Sequence, residues 1–130
     1  MKWDRRLLPK LLRTIREIDP DLEWKWDVRD AITIRPSGSS RFWARIKTKE
    51  ADALELWLIA RPGQGGLSRM EGIGRTATVE SDRNDGIEVL KLGFVTTDNF
   101  PPAKLKPILA DLLRAFRRTF AGGTGEKEAG

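Results

Sequence analysis

The apolar positions of this chain fall into two periodicities, and each predicts a kind of element. Leu7, Leu8, Leu11, Leu12, Ile15 and Ile18 recur at spacings of three, four and seven. That spacing predicts an amphipathic helix ended by Asp19-Pro20. Pro9 is tolerable only near its first turn, where the missing N–H costs little. A two-residue alternation follows. Trp24, Trp26 and Val28 alternate with charged residues, which reads as a strand or an extended lead-in. Ala31–Arg35 is a short strand pattern closed by the turn cluster Pro36-Ser37-Gly38-Ser39-Ser40. In Phe42–Lys49 the alternation places Phe42, Ala44 and Ile46 on one face and Trp43, Arg45, Lys47 and Lys49 on the other. In Ala53–Ala60 it places Leu54, Leu56 and Leu58 on one face and Glu55, Trp57 and Ile59 on the other, so the two runs predict a hairpin.

Residues 61–75 carry Gly63, Gly65, Gly66, Gly72 and Gly74 and read as a loop. Residues 76–81 form a weak strand pattern, and Asn84-Asp85-Gly86 is a hairpin-turn signal. The last strand pattern, about 87–96, sets Leu90, Leu92 and Phe94 on one face. Asn99-Phe100-Pro101-Pro102 then opens a helix with the stripe Leu105, Ile108, Leu109, Leu112, Phe116 and Phe120, and Pro107 places its regular part at about residue 103 or later. Residues 121–130 read as a disordered tail and residues 1–120 as one domain. Half-buried strands between two amphipathic helices predict an α+β fold. Its sheet is an antiparallel meander of four to five strands, with the N- and C-terminal helices packed on one face.

Composition narrows the chemistry. Of 130 residues none is Cys, His or Tyr. Thiolate and imidazole chemistry is therefore excluded, together with the usual zinc ligands. No cofactor is implied. No apolar run reaches the roughly 20 residues that span a bilayer, and the N-terminus lacks a signal-peptide core. The expectation is a cytoplasmic protein with no membrane partner. The net charge of +5 is unevenly spread. Residues 1–49 hold 13 basic and 7 acidic side chains, and residues 50–100 hold 5 and 9. A basic excess in the flanking segments suggests an anionic partner, nucleic acid first.

The face opposite the predicted core carries the candidate site. Trp43, Arg45, Lys47 and Trp57, with Arg41 and Lys49 at the rim, combine indoles for stacking with cations for phosphates. The same residues could instead pair across strands as ordinary structure, or present a Trp-rich hot spot to a protein partner. The glycine loop, with Arg61, Arg69 and Arg75, matches neither nucleotide-binding glycine pattern. Glu80, Asp82, Asp85 and Glu88 lack the ligand order of a calcium loop. For carboxylate- or serine-dependent catalysis, Asp27, Asp30, Ser37, Ser39 and Ser40 can be named, but no spacing favours them. Arg114, Arg117 and Arg118 sit where a helix C-terminus ordinarily attracts cations. The expected function is thus a non-enzymatic domain that binds nucleic acid. The alternative is a protein–protein interaction module.

Residues 26–36 and 42–49, with Leu67-Ser68-Arg69-Met70-Glu71-Gly72-Ile73-Gly74-Arg75 and Leu90-Lys91-Leu92-Gly93-Phe94, resemble a C-terminal accessory segment of some bacterial UvrA excinuclease proteins. The resemblance covers roughly residues 5–118 and includes no catalytic motif. It implies a link to DNA repair without the ATPase or zinc elements of the full protein. The helix–sheet–helix order is also similar to small α+β families of the YdhG/YjbR and frataxin-like kind, a likeness of fold that carries no function.

Overall fold

The computed structural model describes residues 3–26, 31–39, 41–49, 53–60, 73, 76–82, 87–97 and 100–118, with the backbone alone over 76–82 and 87. Helix α1 spans Leu7–Ile18 and helix α2 spans Pro102–Phe116. Between them lie β1 (Glu23–Trp26), β2 (Ala31–Arg35), β3 (Ala44–Lys47), β4 (Leu54–Ala60), β5 (Thr76–Asp82) and β6 (Ile87–Phe94). The six strands form one antiparallel sheet in the order β1-β2-β3-β4-β6-β5. The α+β class with terminal helices stands as predicted.

Two details differ from the sequence reading. The extended lead-in is a paired edge strand, which brings the sheet to six strands. The meander also breaks after β4: β6 inserts beside β4 and leaves β5 at the edge. Chemistry explains that exchange. Leu90, Leu92 and Phe94 of β6 are fully buried and suit a strand flanked on both sides. The β5 sequence TATVESD is mostly polar and suits an edge.

Register carries the core across the sheet in rows. Ile34, Ala44, Leu58 and Leu90 are successive partners, and so are Ile32, Ile46, Leu56 and Leu92. All eight are buried. Because side chains alternate in a strand, one such row fixes the whole face. The helices close this face with Leu7, Leu11 and Ile15 of α1 and Leu105, Leu109, Leu112 and Phe116 of α2, at the predicted spacings. Phe94 and Phe100 meet edge to face, with centroids 5.2 Å apart, a favoured aromatic geometry.

Local chemistry sets the element ends. Asp4 donates its amide to Val95 O (2.7 Å), which ties the start of the chain to the end of β6. Its carboxylate accepts from the Arg6 amide (2.9 Å) and from the Arg6 guanidinium (2.7 Å). These bonds hold the Asp4 carboxyl at a pKa of about 2, below the ordinary aspartate value. Pro9 sits in the first turn of α1, where its missing N–H has no intrahelical partner to lose. Thr14 is buried because its hydroxyl donates to Lys10 O (2.8 Å). In the turn after β2, Ser39 N donates to Pro36 O (3.0 Å) and Gly38 has φ of +85°. A positive φ at the third residue is the geometry of a type II turn. Between the helices, Lys106 bonds Glu17 at 2.7 Å and Arg117 pairs with Asp19. The Lys106 ammonium holds the Glu17 carboxyl below its usual range.

The candidate residues Asp27, Asp30 and Ser40 lie outside the described residues, as do Arg61, Arg69, Arg75, Asp85, the Asn84-Asp85-Gly86 turn, Phe120 and the tail 121–130. No described helix is long and apolar enough to cross a membrane.

Candidate nucleic-acid interface

The sheet face turned away from the helices is the candidate surface. Its central row runs Thr33, Arg45, Trp57 and Lys91, successive partners on β2, β3, β4 and β6. A second row holds Lys47 beside Glu55. Strands lie about 4.8 Å apart, so Arg45 and Lys91, flanking Trp57 on neighbouring strands, are separated by roughly 10 Å. No described helix packs over this row.

Trp57 is the centre of the arrangement. Its side chain is half-buried, and its Nε1 donates to Glu55 Oε1 at 2.8 Å. The Lys91 ammonium lies 4.1 Å from its ring centroid and the Lys47 ammonium 5.1 Å. Cation–π contacts at partly exposed sites contribute only about 0.5–1 kcal/mol. An arriving base that stacks for about 1–3 kcal/mol can therefore displace a lysine toward its own phosphate. Arg45, next to Trp57 in the same row, stacks its guanidinium 4.6 Å from the centre of the Phe42 ring.

Of the residues predicted for this surface, Arg45, Lys47 and Trp57 are brought together on it. Lys49 is exposed just past the end of β3. Arg41 is half-buried in the preceding turn, where its amide donates to Ser39 Oγ (3.1 Å) and its carbonyl accepts from the same hydroxyl (2.9 Å). Ser39 is thereby a turn-stabilising residue, and Ser37 is an exposed member of the same turn.

Trp43 is not on this surface. It is fully buried in the core, contrary to the alternation read from the sequence. The reason lies in the backbone. Trp43 N donates to Ile34 O (2.8 Å), while Ala44 is the residue paired opposite Ile34. Two residues of one chain thus meet one of its neighbour, as in a β-bulge. The step breaks the alternation: Trp43 and Ala44 are both fully buried, and Phe42 lies against Arg45. Burying a Trp removes about 150–250 Å² from water and is worth roughly 4–6 kcal/mol. Its Nε1 is left buried without a hydrogen-bond partner, at a cost of about 1–3 kcal/mol. Burial wins.

The other indoles are dispersed as well. Trp24 lies on the helix side, half-buried beneath Arg16 of α1, whose guanidinium is 5.0 Å from its ring. Trp26 pairs opposite the core-facing Ile32 but is 56% exposed at the sheet edge.

Sequence reasoning missed Lys91. The alternation of Leu90, Leu92 and Phe94 already puts Lys91 on the open face, but its place beside Trp57 depends on β6 pairing with β4. It also missed Lys25 and Arg35. Together with Arg45 they line a groove of about 550 Å³ at the β1–β3 end of the same face.

Fold and surface together define a class: an α+β domain that buries one sheet face under two helices and presents a basic, tryptophan-centred row on the other. Comparison with family models, curated proteins and solved structures finds no match for this chain.

Proposed function

We propose that this chain is a non-enzymatic domain that binds nucleic acid through the open sheet face, with a role linked to DNA repair in keeping with its resemblance to the excinuclease accessory segment. The observation that carries the proposal is the Trp57 ring held between the Lys47 and Lys91 ammoniums, with Arg45 next in the row. A stacking ring flanked by cations offers one contact to a base and several to the phosphates on either side of it. A flat sheet face presents no helix to enter a duplex groove, so the geometry favours single strands.

The test is fluorescence anisotropy of labelled single- and double-stranded oligonucleotides across a salt series. Neutralising four phosphates through Arg45, Lys47, Lys91 and Lys49 gives an expected log–log salt slope of about −3 for single strands. Lys47→Gln or Lys91→Gln should each reduce that slope by about 0.7. Trp57→Ala should weaken binding by about 1–3 kcal/mol without changing the slope. No binding at low salt sinks the proposal. Salt-insensitive binding to a protein partner, lost on Trp26→Ala, would instead favour an interaction surface at the β1 edge, where Trp26 is exposed.

A further inference from the structure

We infer that the groove at the β1–β3 end of the open face is a binding site for a phosphate monoester, either the terminal phosphate of a nucleic-acid strand or that of a free nucleotide. The strand-end form rests on the proposed function above; the free-nucleotide form does not. The groove encloses about 550 Å³, room for one nucleotide. It is lined by Lys25 of β1, Thr33 and Arg35 of β2, Arg45 of β3, the Phe42 ring and Glu23.

Charge selects the ligand. Lys25, Arg35 and Arg45 face one carboxylate, Glu23, which bonds the Arg35 Nε at 3.0 Å. A double positive excess remains. An internal phosphodiester brings one negative charge, whereas a monoester brings close to two, with three free oxygens as acceptors. The donors suit the monoester too. The bond to Glu23 uses the Arg35 Nε, and the Thr33 hydroxyl adds a neutral donor between Lys25 and Arg45, its partners in register. Arg45 is held in place before any ligand arrives. Its guanidinium stacks 4.6 Å from the Phe42 ring centre, and its Nε is buried without a hydrogen-bond partner. A guanidinium fixed against a ring and short of acceptors is preorganised for an anion. Phe42 lines the groove beside Arg45, next to the break in alternation at Trp43. Arg45 also neighbours Trp57 in the central row, so a strand ending in the groove would pass its next bases toward that ring.

The experiment uses the full chain and two probes. By anisotropy, decathymidylate oligonucleotides bearing a 5′-phosphate, a 3′-phosphate or hydroxyl ends are compared. By NMR, adenosine 5′-monophosphate is compared with adenosine. A terminal phosphate at one end should tighten oligonucleotide binding about tenfold. That gain should vanish in Lys25→Gln/Arg35→Gln, both of whose side chains are solvent-exposed, and in Arg45→Gln. Trp57→Ala should weaken phosphorylated and hydroxyl-ended strands alike. Adenosine 5′-monophosphate should shift the amides of Thr33, Phe42 and Arg45, and adenosine should not. Nucleotide shifts without an end effect identify a free nucleotide as the ligand. Equal affinity for all strand ends, together with equal shifts from nucleotide and nucleoside, overturns the site. Failure of the hydroxyl-ended strand to bind at all overturns the Trp57 platform and leaves the nucleotide comparison to decide the groove.

Discussion

Trp43 shows how a single residue can be chemically suited to two places and settle in one. Its ring is worth more in the core than its N–H costs there, as the magnitudes above indicate. A direct consequence is testable. Trp43→Phe removes the unpartnered donor along with part of the ring, and the two effects oppose each other. The expected change in unfolding free energy is within about 1–2 kcal/mol, against about 3–5 kcal/mol for Trp43→Ala, read by urea denaturation. A Phe variant as damaging as the Ala variant would show that Nε1 is satisfied in solution. Asp4 makes a second prediction at this scale. Its folded pKa of about 2 lies below the unfolded value, so its contribution is present above about pH 4 and is lost as pH falls through about 2. Asp4→Asn should therefore flatten the loss of stability between pH 4 and pH 2. An acid-unfolding profile of unchanged steepness would show that the Arg6 contacts do not hold in solution.

At the scale of elements, turns and helix ends follow local rules closely enough to predict substitutions. Gly38 takes φ of +85° in the turn between β2 and β3, and a Cβ there would meet no atom within 4 Å. The penalty for Gly38→Ala is then backbone strain alone, about 1–2 kcal/mol. Gly38→Asn should cost less, since Asn tolerates that conformation. Equal costs for Ala and Asn would argue against the turn geometry. Pro107 is the sixth residue of α2, exposed, and unable to donate to Ala103 O. Pro107→Ala should raise stability by about 1–3 kcal/mol, measured by thermal or urea unfolding. A fall in stability would mean that the rigidity proline gives the unfolded chain outweighs the missing bond.

Across the whole molecule, the sheet divides the core from the proposed binding face. The rows Ile34–Ala44–Leu58–Leu90 and Ile32–Ile46–Leu56–Leu92 make the core, while the row through Arg45, Trp57 and Lys91 makes the surface. Leu56→Ala should cost about 2–5 kcal/mol. Lys47→Gln and Lys91→Gln should stay within about 0.5 kcal/mol of wild type, even where they weaken oligonucleotide binding. If the lysine variants unfold as readily as Leu56→Ala, the cations belong to the structure and the surface assignment fails.

Local periodicity was enough to read both helices, the core faces Leu54–Leu56–Leu58 and Leu90–Leu92–Phe94, the turn at Gly38 and the placing of Arg45, Lys47 and Trp57 on the face opposite the core. Those features depend on neighbours within a few residues, and side-chain alternation transmits them along a strand. What the alternation could not carry was a break in itself. A bulge needs the partner strand to be seen, because it is the Ile34 carbonyl that receives the Trp43 amide. Strand order was hidden for the same reason: pairing β6 with β4 sets Lys91 beside Trp57, two residues far apart in the chain. Residue order alone set which positions could serve as cations, rings and core. Which of them stand next to one another came from the folded sheet, since contacts across a sheet are set by register between strands and not by spacing within one.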